Sequence, residues 1–85
     1  MDRTALRNAL LEMLENNKGE PVEFFREDMD LRTDLGLDSV DLITLDMEIQ
    51  ERFRLRLLPA ELATVHRVRD LLDLIQARLA LRSVA

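Results

Sequence analysis

The sequence predicts an all-α fold, a small four-helix bundle with three main helices and one short third helix. Apolar residues recur at helical spacing in three stretches of the chain. Only two glycines and two prolines occur among the 85 residues, too few for the many turns of an all-β fold. A chain of this length supports one domain, which we expect to span residues 1–85.

The composition limits the chemistry that this chain can carry. It holds no cysteine, which excludes disulfides, thiolate metal sites and cysteine nucleophiles. One histidine and the lack of tryptophan and tyrosine leave little for acid–base catalysis or base stacking. The apolar runs are far shorter than the roughly 18 residues of a membrane span, and the N-terminus lacks the pattern of a signal peptide. We therefore expect a non-enzymatic protein of the cytoplasm.

The first predicted element is a helix over about 2–15, followed by a loop over about 16–38. Asp2 or Thr4 can cap the start of the helix, and the run Asn16-Asn17-Lys18-Gly19 supplies stop signals. The loop is long for a compact domain, but it carries apolar residues that we expect to anchor it to the helices. These residues are Val22, Phe24, Phe25, Met29, Leu31, Leu35 and Leu37.

The second helix is predicted over about 39–53, with Asp38 or Ser39 as N-cap and Asp41 in the first turn. One narrow apolar face consists of Leu42, Leu45, Ile49 and Phe53. A second apolar stripe, roughly 150° around the helix, consists of Val40, Ile43 and Met47. Either both faces are buried within the domain, or the second stripe is an exposed docking strip that begins beside Ser39.

The remaining chain is predicted to form an extended connection and two helices. Residues 54–57 alternate between arginine and leucine as a strand would, but the sequence offers no second strand to pair with them. We therefore predict an extended connection there. Pro59 suits the first turn of a short helix over about 59–65. The last helix, over about 67–81, places five apolar residues on one face: Val68, Leu71, Leu72, Ile75 and Leu79.

Charge is distributed unevenly along the chain. Residues 28–51 contain eight acidic residues and one arginine, whereas residues 52–85 contain seven arginines and three acidic residues. The acidic block repels phosphate backbones and attracts basic protein surfaces, although a solvated helical face is the commoner fate of such a run. The arginines are scattered among leucines without aromatic residues, so we expect no nucleic-acid binding. The spacing of a calcium-binding loop is absent, and we expect no metal site.

One stretch carries a specific motif. Asp34-Leu35-Gly36-Leu37-Asp38-Ser39-Val40-Asp41 resembles the D-L-G-x-D-S-[LV]-D signature of acyl carrier proteins. Glu51-Arg52-Phe53 is similar to the E-x-F ending of that family's second helix, and Arg67-Val68-Arg69-Asp70-Leu71 resembles the T-V-x-D-L start of its last helix. The resemblance covers residues from about 28 to about 76.

The resemblance implies a four-helix bundle of the acyl-carrier type. A phosphopantetheinyl transferase would move 4′-phosphopantetheine from coenzyme A onto Ser39, and the thiol of this arm would carry acyl groups as thioesters. Catalysis would belong to acyl-loading, synthase or transferase enzymes with basic docking surfaces, while this chain would act as a monomer. The expected docking residues are Asp38, Val40, Asp41, Ile43, Met47 and Glu51. Candidates for both core and acyl pocket are Leu42, Leu45, Ile49, Phe53, Val68, Leu72 and Ile75.

The chain also departs from the family's housekeeping pattern. Thr44 and Gln50 stand where housekeeping fatty-acid carriers usually have acidic residues, and Arg67 replaces the usual threonine. We therefore expect a carrier for a specialised lipid, polyketide or related pathway. Two other classes remain open. A helical protein–protein adaptor would leave Ser39 unmodified, and a phosphoacceptor switch would have it phosphorylated by a kinase.

Overall fold

The computed structural model describes residues 2–84, with backbone only for residues 83 and 84. Over this range the chain forms four helices and no strand, which confirms the predicted all-α fold. The only extended pairing in the described part is a single bridge between Asp30 and Arg67. The helices are α1 (Arg3–Lys18), α2 (Ser39–Phe53), α3 (Pro59–Leu62) and α4 (Val68–Val84).

The ends of α1 follow from its capping residues. The carboxylate of Asp2 accepts the backbone N–H of Ala5 at 2.7 Å and so caps the start of the helix. Gly19 ends the helix with φ at 72°, and its N–H donates to the carbonyl of Glu15 at 2.8 Å. The helix therefore runs three residues beyond the expected end near residue 15. The asparagines stay helical because Gly19 alone reverses the chain.

The core is apolar and includes part of the long loop. It lies between α1, α2 and α4, and no polar or charged residue of the described chain is buried in it. The loop contributes four buried side chains, so it packs against the helices as expected. The buried residues outside α1 are Phe25, Leu31, Leu35, Leu37, Leu45, Ile49, Leu57, Val68, Leu71, Leu72 and Ile75.

The expectation that Phe24 also anchors the loop is wrong. Its side chain is 84% exposed, and its φ of 55° lies in the left-handed region that few bulky residues adopt. Because of this turn, only the second of the two adjacent phenylalanines, Phe25, is buried in the core. There the guanidinium of Arg7 stacks on the Phe25 ring at 5.0 Å from its centroid.

Backbone hydrogen bonds fix the loop between α1 and α2 against the start of α4. The N–H of Leu31 donates to the carbonyl of His66 at 2.9 Å, and the N–H of Val68 donates to the carbonyl of Met29 at 3.0 Å. At the other side, the ammonium of Lys18 donates to the carbonyl of Leu35 at 2.6 Å. The segment that leads into α2 is therefore held from both neighbouring helices.

The short helix α3 ends three residues before the expected position 65. The hydroxyl of Thr64 donates to the carbonyl of Glu61 at 2.7 Å, a local bond that competes with continued helix. The carboxylate of Glu61 forms an ion pair with Arg78 of α4, which holds α3 against that helix. The hydrogen bond from Arg78 lowers the pKa of Glu61 below its ordinary value.

The start of α4 is one residue later than expected, and its end lies three residues beyond 81. The carboxylate of Asp70 accepts the N–H groups of Arg67 at 2.9 Å and His66 at 3.1 Å, so these two residues remain outside the helix. These backbone hydrogen bonds, first that of Arg67, lower the pKa of Asp70.

Candidate functional site

The segment before α2 is shaped by a tight turn. The carboxylate of Asp30 accepts the N–H groups of Thr33 at 2.9 Å and Arg32 at 2.8 Å, which lowers the pKa of Asp30. Asp34 closes the same turn, because its carboxylate accepts the N–H of Asp30 at 2.7 Å. Gly36 follows with φ at 69°. A Cβ at that position would lie 3.7 Å from the ammonium nitrogen of Lys18, so backbone conformation rather than space requires glycine.

A capping box fixes the first turn of α2. The carboxylate of Asp38 accepts the N–H of Asp41 at 2.8 Å, and the carboxylate of Asp41 accepts the N–H of Asp38 at 3.1 Å. Both acidic residues were expected at a docking surface, and both have this structural role. The reciprocal pair makes Ser39 the first residue of the helix.

Ser39 and Val40 are the two residues of the eight-residue signature whose side chains have no structural role in the fold. Asp34, Asp38 and Asp41 bond to backbone, the two leucines are buried, and glycine forms the turn. Ser39 is exposed, and its hydroxyl has no hydrogen bond to any residue that the structure describes. Val40 is 69% exposed. The fold therefore gives no reason for a serine and a valine at these two positions.

The second apolar stripe of α2 lies on the surface. Val40, Ile43 and Met47 are 69%, 61% and 63% exposed, so burial of both apolar faces within the domain is wrong. Helical geometry puts Glu51 within about 80° of all three, and Glu51 is exposed. We call these four residues the α2 surface strip. Asp41 lies outside it, because its side chain is half-buried and bonded to the backbone.

A cavity of about 280 Å³ adjoins Ser39. It lies between α2, α3 and the loop that precedes α2, and most of its lining is apolar. Three of the expected pocket residues line it, whereas Phe53, Val68, Leu72 and Ile75 do not and serve the core. The lining residues are Leu31, Arg32, Ser39, Leu42, Ile43, Leu45, Asp46, Ile49, Pro59, Leu62, Ala63, Val65 and Leu71.

Two charged residues of this lining were not predicted from the sequence. Arg32 is exposed, and its guanidinium forms no ion pair with the described residues. Asp46 accepts the side-chain N–H of Gln50 at 2.9 Å through Oδ2, while its Oδ1 is buried without a partner in the described chain. Helical spacing holds a signal for Asp46, since it lies seven residues after Ser39 and within about 20° of it. The sequence holds no such signal for Arg32.

Two kinds of site are not found in the part of the chain that the structure describes. Within residues 2–84, no group of three or more histidine, aspartate or glutamate side chains is arranged to hold a metal ion. Over the same range, none of the helices combines the length and the apolar character that crossing a bilayer requires.

The chain matches the family described as "Phosphopantetheine attachment site" over residues 5–75. An acyl carrier protein of Saccharopolyspora erythraea is 33% identical over 88 residues, covering 100% of this chain and 93% of the relative. The crystal structure of an acyl carrier protein from Thermotoga maritima has a TM-score of 0.85 and 30% identity, covering 94% of this chain and 93% of that chain. The apo doublet acyl carrier protein from prodigiosin biosynthesis has a TM-score of 0.73 and 25% identity, covering 88% of this chain and 36% of that chain. This chain therefore belongs to the acyl carrier protein family, and it is a carrier for phosphopantetheine-bound groups and not an enzyme.

Proposed function

We propose that Ser39 is the attachment point of 4′-phosphopantetheine and that the chain shuttles acyl or related groups between partner enzymes. One observation carries this proposal. The hydroxyl of Ser39 is exposed and without a hydrogen bond to the described residues, while six of its signature neighbours have a role in the fold. The arm supplies a terminal thiol, on which an acyl group is held as a thioester.

The residues around Ser39 fit this group. In the transfer, the Ser39 oxygen would bond to the phosphorus next to the pantetheine, the P–O bond of the coenzyme A pyrophosphate would break to release adenosine bisphosphate, and the serine proton would pass to a base of the transferase. The first turn of α2 would then lie next to an anionic phosphodiester, which the dipole of a helix N-terminus and the N–H groups not used by the capping box would stabilise. The unpaired guanidinium of Arg32, which lines the same cavity as Ser39, adds positive charge nearby. The capping box of Asp38 and Asp41 keeps this turn in place.

We further propose that the α2 surface strip docks the partner enzymes. Val40, Ile43 and Met47 offer an apolar centre next to Ser39, and Glu51 adds charge at its edge. Asp38 is exposed and adds a second negative charge at the start of the helix. A small apolar centre with charge at its rim suits short-lived contacts. The partners would be a phosphopantetheinyl transferase and acyl-loading, synthase or transferase enzymes with basic surfaces.

The attachment is tested by the intact mass after incubation with coenzyme A, magnesium and a phosphopantetheinyl transferase. The sequence offers a matched pair of variants, since its two serines are Ser39 and Ser83. We expect the mass of one phosphopantetheine unit to be gained by the wild type and by Ser83→Ala, and to be absent in Ser39→Ala. No gain with a broad-specificity transferase and with the host's own transferases would contradict the carrier assignment and favour the adaptor.

Docking is tested by the rate of the same modification. Met47→Glu places a charge in the α2 surface strip, whereas Leu81→Glu places one on α4 at a residue that is 64% exposed. We expect kcat/KM of the transferase to fall about 5–30-fold for Met47→Glu, as for the loss of a central interface contact, and to stay unchanged for Leu81→Glu. Equal effects of both variants on kcat/KM would show that the α2 surface strip is not part of the docking surface.

We also propose that the carrier serves a specialised lipid, polyketide or related pathway. The support is the edge of α2, where Thr44 and Gln50 replace the acidic residues usual in housekeeping carriers. The test charges the protein with malonyl groups and presents it to housekeeping elongation enzymes. We expect slower turnover than with the host's main fatty-acid carrier, and equal turnover would contradict the proposal.

A further inference from the structure

Asp46 lines the cavity beside Ser39, and the described chain leaves one of its two carboxylate oxygens without a hydrogen-bond partner. Its Oδ1 is buried without a partner, whereas Oδ2 accepts the side-chain N–H of Gln50 at 2.9 Å. Buried polar atoms in folded proteins nearly always have a partner, and carboxylate oxygens above all. This oxygen has almost no accessible surface, so a donor that is not part of this chain would reach it only after the carboxylate turns toward the cavity.

Asp46 lies on the same side of α2 as Ser39, the proposed attachment point. Seven residues separate the two, which is about 10.5 Å along the axis of α2, and both lie on nearly the same side of the helix. Ile43 lies between them and also lines the cavity. The volume of about 280 Å³ compares with the roughly 150 Å³ that holds benzene, so about ten heavy atoms fit. The arm at Ser39 would be longer than this distance and carries hydroxyl and amide N–H donors of its own, so an acyl chain meets Asp46 only when the arm folds back and places the acyl chain in the cavity.

We propose that Asp46 determines which cargo this carrier prefers, by accepting a hydrogen bond from a hydroxyl or amino group on the acyl chain. This inference rests on attachment at Ser39. An unsubstituted acyl chain would surround the Asp46 carboxylate with apolar groups and leave Oδ1 without a donor. A chain with its own carboxylate would be repelled by Asp46. Arg32 lines the same cavity but forms no ion pair with Asp46 in the described structure.

The test compares hexanoyl chains with hydroxyhexanoyl and aminohexanoyl chains that differ in the position of the donor. Each is transferred from its coenzyme A thioester, and intact mass verifies the loading before Tm is measured. In the wild type, we expect at least one donor-bearing chain to raise Tm above the hexanoyl form by about 4–8 °C, the effect of one hydrogen bond in a domain of this size. Asp46→Leu abolishes or reverses this difference. The control is Glu48→Gln, which removes a negative charge from α2 at a residue that does not line this cavity. We expect this variant to keep the wild-type difference in Tm between the donor-bearing and the hexanoyl forms.

A second readout uses the wild-type protein alone. The side-chain amide of Gln50 is bonded to Asp46, so its NMR signal should shift with the donor-bearing cargo and much less with hexanoyl. A protein that is loaded but shows no donor preference, or a preference that survives Asp46→Leu, would overturn the inference and leave the carrier function intact. If Asp46→Leu changes Tm by the same amount when the arm carries no acyl group, Asp46 contacts the arm and not the cargo. That result would also overturn the role of Asp46 in cargo choice. Absence of loading would instead contradict attachment at Ser39.

Discussion

Replacing Asp38 with alanine removes the carboxylate that caps α2 and leaves the N–H of Asp41 without its partner at 2.8 Å. Loss of an N-cap lowers the free energy of unfolding by about 1 kcal/mol, within a range of about 0.5–2 kcal/mol. In a domain of this size, 1 kcal/mol corresponds to a change in Tm of about 4–8 °C. The expected result for Asp38→Ala is therefore a decrease of that size, because most of the capping box is lost.

The assay is thermal unfolding followed by circular dichroism, with Asp38→Asn as the matched control. Asparagine caps helices about as well as aspartate but carries no charge, so we expect Asp38→Asn to keep the wild-type Tm within about 2 °C. A Tm of Asp38→Ala equal to the wild type would refute the stabilising role of the box. A decrease in Asp38→Asn as large as in Asp38→Ala would show that charge, and not capping, is responsible.

Three further predictions concern stability. Gly36→Ala should lower the free energy of unfolding by about 1–2 kcal/mol in urea, because its φ of 69° disfavours a side chain, and an unchanged value would contradict this. Asp46→Leu should raise Tm of the unmodified protein by a few degrees, since removing a buried oxygen that has no partner in the described chain outweighs the loss of the part-buried hydrogen bond from Gln50, and a lower Tm would count against that reasoning. The N–H of Arg67 lowers the pKa of Asp70, so this contribution to stability is complete above the ordinary value of 3.8 and is lost as pH falls through the lower folded value. The urea midpoint of wild type should therefore fall more between pH 5 and pH 2 than that of Asp70→Asn, and parallel curves would contradict the shift.

The fold was predictable because its helices are encoded by local patterns. The apolar period and the acidic residues at the start of α2 are properties of neighbouring residues, and they predict both the helix and its N-cap. The end of α1 was misplaced because asparagine is compatible with both helix and turn, and Gly19 decides between them only through its left-handed conformation. Whether the Phe24 side chain is buried or exposed depends on one backbone turn, in which Phe24 has a positive φ. No periodic pattern reports such a turn.

The motif of the candidate site could be identified from the sequence, whereas the residues that surround it could not. Ser39 and the α2 surface strip follow from the signature and from helical spacing. The burial of Asp46 was missed because an acidic run on a helix is ordinarily solvated, and this burial depends on the packing of α3 and the loop around α2. Arg32 reaches the same cavity only through the turn at Asp30. Contacts between segments distant in the sequence are set by tertiary packing.

The most direct test of the central claim is fragment-ion mass spectrometry of the modified wild-type protein. Attachment at Ser39 predicts the added phosphopantetheine mass in every N-terminal fragment that includes Ser39 and in none that ends at Asp38. The complementary C-terminal fragments should carry the mass when they begin at Ser39 and lack it when they begin at Val40. Added mass on any fragment without Ser39 would contradict the account.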